Sequence, residues 1–144
     1  HILKEEATVT SEGIAMCGSG SINREYATQT DVNIARVIKL ELMIAAALLE
    51  KNSKEAERLF KEATALEART SYSYGPPTVV KPSFEWYGEF LLQEGRPEEA
   101  FAQFDSSLKR APRRMLSLKG KLKAAEILAD TASVDILRKE IEGT

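Results

Sequence analysis

Reactive side chains are scarce in this chain. Its 144 residues include one cysteine, Cys17, and one histidine, His1 at the start. A lone cysteine excludes an internal disulfide and a cysteine-rich metal site. A single terminal imidazole argues against histidine-based acid/base chemistry and zinc ligation. Long apolar runs are missing too. The longest, Leu42–Leu49, falls far short of the ~20 residues that a membrane helix needs, so no membrane partner is expected. With no signal peptide in view, the cytoplasm is the expected compartment. A chain opening on His1 instead of methionine nevertheless reads as a piece of a longer protein, for which a missing leader decides little.

What is present is charge and apolar periodicity. Charged residues make up 29% of the chain and apolar ones 43%, a balance that fits a folded protein with a real core. The net charge of −2 is unevenly spread. Lys109, Arg110, Arg113, Arg114, Lys119, Lys121 and Lys123 form a basic run without an acidic residue, leaving 13 basic against 22 acidic residues elsewhere. Such a cluster suits phosphate neutralisation. It carries no aromatic residue for base stacking, so nucleic acid is not expected as a partner. Electrostatic fit to the acidic segment before it, or simple solubility, is the plainer account.

The segment Pro82–Pro112 shows how the chain folds. Phe84, Tyr87, Gly88 and Leu91 recur at i, i+3, i+4 and i+7, one face of a helix that Pro82-Ser83 opens. Gly95 suits a left-handed helix end, and Pro97-Glu98-Glu99 opens a second helix with negative charge at its positive pole. Ala100, Phe104, Ser107 and Leu108 line that helix until Pro112 stops it. The spacing predicts a helical hairpin. Upstream, Leu40, Met43, Ile44 and Ala47 repeat the pattern, and after a Lys51-Asn52-Ser53 turn Ala56, Phe60 and Ala63 follow. Downstream, Leu118, Leu122 and Ala125 line a fifth helix. Thr131 is the expected cap of a sixth, with Val134, Leu137 and Ile141 as its narrow apolar stripe. Residues 1–30 form a separate N-terminal segment, where Ile2, Leu3, Val9, Ile14 and Met16 read as part of a preceding helix interrupted by glycines.

Phe84, Tyr87-Gly88, Leu91, Ala100, Phe104 and Pro112 together resemble the tetratricopeptide repeat, W-x₂-L-G-x₂-Y…A-x₃-F…P. Phe84 and Tyr87 stand where the family has Trp and Leu, and Ile44 departs from glycine in the upstream hairpin. Ala56 and Ala100 are 44 residues apart, ten more than the family period, with the surplus in an inserted loop at 70–81. The segment Gly75–Arg114 also looks like the C-terminal repeats of longer bacterial proteins of this family whose function is unsettled. The resemblance implies an all-α fold, a right-handed superhelical stack of about three hairpins over residues 31–144. It also implies a non-catalytic scaffold that binds a protein or peptide, without a cofactor.

In such a stack the first helix of each hairpin lines a concave groove. The groove positions here are Ile38, Glu41, Ala45 and Leu48, then Glu85, Glu89 and Leu92, then Leu116, Lys119, Lys123 and Glu126. The expected recognition residues are Glu41, Leu48, Glu85, Glu89, Leu92, Leu116, Lys119 and Lys123, with Tyr72 and Tyr74 of the inserted loop as a second surface. Glu85 and Glu89 read as a solvated acidic stripe; neither a histidine nor an Asp-x-Asp loop accompanies them to hold a metal. Some family members clamp a peptide's terminal carboxylates with Lys and Asn. Glu41 and Ala45 occupy the matching places, so that activity is not carried over. Gly18-Ser19-Gly20-Ser21 lacks the lysine of a phosphate loop and reads as a connector. Two other function classes remain open: an accessory helical domain of a larger enzyme, and a self-association module whose apolar ends pair with a second copy.

Overall fold

In the computed structural model of the chain, residues 28–70 and 81–143 are described, and all regular structure among them is helical. The all-α class follows. Two compact units divide the chain, His1–Val79 and Val80–Thr144, with the boundary inside the expected inserted loop.

The first unit is a hairpin of α1 (Gln29–Leu49) on α2 (Ser53–Arg69). A reciprocal capping box opens α1. The Thr28 hydroxyl accepts the Asp31 amide at 3.2 Å, and the Asp31 carboxylate accepts the Thr28 amide at 2.9 Å. Val37, Leu40, Ile44 and Ala47 form the buried face of α1, and Ala56, Leu59, Phe60 and Ala63 that of α2. Met43, expected on the buried face, is exposed instead. Val37 takes part where Met43 does not, because a 3-4-3 spacing keeps one narrow face turned to α2.

The second unit contains α3 (Ser83–Gln93), α4 (Pro97–Arg110), α5 (Met115–Ile127) and α6 (Thr131–Glu142). Each helix packs on the next, and α3 also touches α5. Leu118, Ala125 and Leu137 form a buried cluster, with Leu108, Leu122, Val134 and Ile141 packed around it. Phe104 is fully buried, which stabilises by roughly 1.5–3 kcal/mol relative to an exposed ring. Its ring fills the space beside two glycines. A Cβ on Gly88 of α3 would lie 2.8 Å from Phe104, and one on Gly120 of α5 would lie 2.4 Å away. Phe84 is only half-buried, so Tyr87, Gly88, Phe90 and Leu91 carry the inner face of α3.

One turn recurs three times. The amide of Asn52 bonds to the Ala47 carbonyl, Arg96 to Leu91, and Asp130 to Ala125, at 2.8, 2.9 and 3.0 Å. Within each, a second bond spanning only three residues closes from the amide of Lys51, Gly95 or Ala129, all three with positive φ. This is the Schellman helix ending. The last residue of each turn also serves as N-cap of the next helix. For α6 that cap is Asp130, whose carboxylate accepts the Ser133 amide at 3.1 Å. Thr131, expected as the cap, is instead the first helical residue, since the turn sets the register. The left-handed residues are 44 and then 34 positions apart, so the chain repeats the same device with ten residues extra in the first interval.

Candidate functional site

Glu85 lies in the first turn of α3, and its side chain is completely buried. Arg114, at the N-cap of α5, donates Nε–H to Oε2 at 2.7 Å and Nη2–H to Oε1 at 3.0 Å, a two-point clamp. The Ser117 hydroxyl donates to Glu85 at 2.6 Å and lies 2.9 Å from the Ser107 hydroxyl. Ser117 has a single proton and gives it to the carboxylate, so Ser107 must be the donor between the two serines. A polar chain thus joins α3, α4 and α5. Burial works to raise the Glu85 pKa, but the bonds from Arg114 and Ser117 and the charges of Arg114 and Lys81 outweigh it. The carboxyl is held below its usual range.

This corrects the expected acidic stripe. Glu85 faces inward, because the same turn that buries Ser83 also buries Glu85, and Arg114 arrives to neutralise it. Glu89, one turn on, is half-exposed and paired with Lys81. The two carboxylates therefore share a helix and not an environment. Leu92 is half-buried near the end of the same helix.

The basic run is largely spent inside the unit. Arg114 holds Glu85. Lys109 and Lys121 both bind Asp105, at 2.8 and 2.6 Å, which keeps the Asp105 carboxyl below its usual range. The Lys121 ammonium also lies 4.7 Å from the centre of the Phe101 ring, a cation–π contact. Arg113 donates to the Gly143 carbonyl at 3.1 Å. Lys119 and Lys123 differ from these four: both are exposed and, among the described residues, make no hydrogen bond or ion pair. They are four residues apart on α5, with exposed Leu116 before them and exposed Ile127 after. The i, i+3, i+7, i+11 spacing aligns these four side chains on one face.

In the first unit Glu41 and Leu48 are half-buried on α1. Tyr72 and Tyr74 lie outside the described residues. Sequence reasoning missed Ser107 and Ser117 as a relay and Gly120 as the seat of Phe104. Gly120 left a signal: a helix-interior glycine costs about 1 kcal/mol against alanine, which points to a close approach. Ile127, Leu42 and Leu49 were also missed as exposed apolar residues.

Among the described residues no group of three or more His, Cys, Asp or Glu is placed to hold a metal ion. No described helix is long and apolar enough to cross a membrane. Leu116, Lys119, Lys123 and Ile127 thus form an exposed strip on α5, a helix that packs against α3, α4 and α6. The chain matches no protein-family model, no curated protein and no solved structure.

Proposed function

We propose that this chain is a non-catalytic interaction module, a stack of tetratricopeptide-like hairpins that holds a protein or peptide partner. Three features support the stack: the turn repeated at a 34-residue interval, the contact of α3 with α5, and Phe104 seated between Gly88 and Gly120. The observation that carries the function is the strip Leu116, Lys119, Lys123 and Ile127. Its lysines are left out of the internal ion pairs that engage their neighbours. A helix whose acidic residues recur four apart between two leucines matches it in charge and spacing. Leu116 and Ile127 supply apolar area, and the lysines supply orientation and on-rate. Glu85 takes no part in recognition in this reading, being enclosed beneath Arg114. Nucleic acid is a poor fit, because Lys109, Arg114 and Lys121 are already committed to carboxylates.

The test is a fluorescence-anisotropy titration of the full chain with a synthetic helical peptide bearing two glutamates four apart, flanked by leucines at the strip's spacing. Binding is expected to weaken as salt rises. The paired reversal Lys119→Glu with Lys123→Glu should weaken it by about tenfold or more and leave the melting temperature nearly unchanged. No binding, or binding indifferent to that reversal, rejects the strip as the docking surface.

A further inference from the structure

The repeated turn aligns the hairpins residue by residue, and the alignment shows that the two ends of the chain's repeats differ. In the second unit α4 presents Phe101, Phe104 and Asp105 to α5, where Gly120 and Lys121 receive them. Moving on by the 34 residues between Gly95 and Ala129, the matching positions of α6 are Asp135, Arg138 and Lys139, all exposed. The last helix offers charge where α4 offers aromatic surface. The receiving positions behave oppositely. Moving back from Ser117, Gly120 and Lys121 of α5 by the 34 and 44 residues between turns leads to Lys39, Leu42 and Met43 of α1, all exposed. Leu42 is 68% exposed and Leu49 85%, with Ile38 exposed on the same side. The receiving face of α1 is therefore open and, Lys39 apart, apolar, and the presenting face of α6 is charged.

That asymmetry disfavours head-to-tail association, since the presenting face cannot fill the open one. We infer that α1 pairs with α1 of a second copy, antiparallel, about a two-fold axis beside Leu42. The spacing of the exposed side chains carries this. Ala35, Ile38, Leu42, Ala46 and Leu49 are exposed on the face opposite Val37, Leu40 and Ile44. Their intervals read 3, 4, 4, 3, the same in either direction. An antiparallel two-fold at Leu42 sets Leu42 against its own copy, Ile38 against Ala46, and Leu49 against Ala35. Every large side chain away from the axis meets a small one, which lets the helices approach closely. The same operation brings the exposed Lys39 to within five residues' rise, about 7.5 Å along the axis, of Glu50 from the second copy. Both lie on the same side of the seam, one residue beyond Ile38 and Leu49, so opposite charges flank the apolar row. An isologous contact of this kind closes on itself and forms a dimer, not a fibre.

Sedimentation velocity on the full chain across a concentration series tests the inference. A reversible monomer–dimer equilibrium is expected. Leu42→Glu and, separately, Leu49→Glu should raise its dissociation constant about 100-fold or more, because each buries two carboxylates per dimer. Ile136→Glu, at an equally exposed position on α6, should leave it unchanged, and circular dichroism should show all three variants as helical as the parent. In a Cys17→Ser background, Leu42→Cys should give a disulfide-linked dimer under mild oxidation, since that position meets itself at the axis. A chain that stays monomeric throughout overturns the inference, and residues before Thr28 or an unrelated protein would then be the occupant. A dimer that survives both glutamate variants, or one lacking the Leu42→Cys cross-link, overturns it equally.

Discussion

The ring of Phe104 lies so close to Gly120 that a Cβ there would come within 2.4 Å of two ring carbons. Two effects oppose one another at this position. Gly120→Ala gains about 1 kcal/mol in helix propensity and loses roughly 1–3 kcal/mol to overpacking. The contact is too short for the ring to yield by a small shift, so the loss should win. Gly120→Ala is expected to destabilise the parent and to be neutral or stabilising once Phe104→Leu has made room. Urea unfolding of the two single variants, the double variant and the parent measures the coupling. Additive effects would show that the ring and the glycine are not in contact.

The buried Glu85 makes stability depend on pH in a defined direction. Its folded pKa lies below its ordinary value of 4.5, so the unfolded chain holds the proton more tightly. The stabilisation is then complete above about pH 4.5 and is lost as pH falls through the lower, folded value. Glu85→Gln should cost toward the lower end of about 3–5 kcal/mol near neutral pH, because Arg114 stays 28% exposed and keeps part of its hydration. The gap from the parent should narrow in acid. Arg114→Met removes the clamp that opposes burial, so its acid-dependent loss should be smaller than the parent's. Unfolding curves between about pH 3 and pH 7 separate the three proteins. A gap that stays constant across that range would mean Glu85 does not titrate as described.

Gly95 and Ala129 hold the same left-handed position in two successive turns. A side chain there costs about 1–2 kcal/mol in backbone strain, and nothing lies within 4 Å of a Cβ placed on Gly95. Gly95→Ala should therefore lose about 1 kcal/mol through the backbone alone. Ala129→Gly should gain a few tenths to about 1 kcal/mol, the strain relieved less the added freedom of the unfolded chain. Thermal unfolding of both variants checks the pair. If Ala129→Gly destabilised the chain, the turn at Ala129 would not be the strained copy of the turn at Gly95.

Much of this was legible from local pattern. Helix spacing set the inner faces of α2 and α4, where Ala56, Phe60, Ala100 and Phe104 are all buried as expected. Gly95 and the Lys51-Asn52 turn were readable because left-handed residues and caps act over a few residues. The same local signals placed Lys119 and Lys123 one turn apart on a single helix. Such features depend on sequence neighbours alone.

Tertiary contact decided the rest. Glu85 and Glu89 look alike at i, i+4, and only the arrival of Arg114, 29 residues away, makes one a buried ion pair and leaves the other half-exposed. Lys121 and Lys123 are likewise alike in sequence. Asp105 and Phe101 on α4 capture Lys121, while Lys123, on another side of α5, is exposed. Gly120 receives Phe104 from a helix that precedes it by a full turn and linker, a match of shapes that no periodicity encodes. Local periodicity determines which residues share a helix face. What that face meets, and so which charges remain available for a partner, depends on groups brought together from distant parts of the chain.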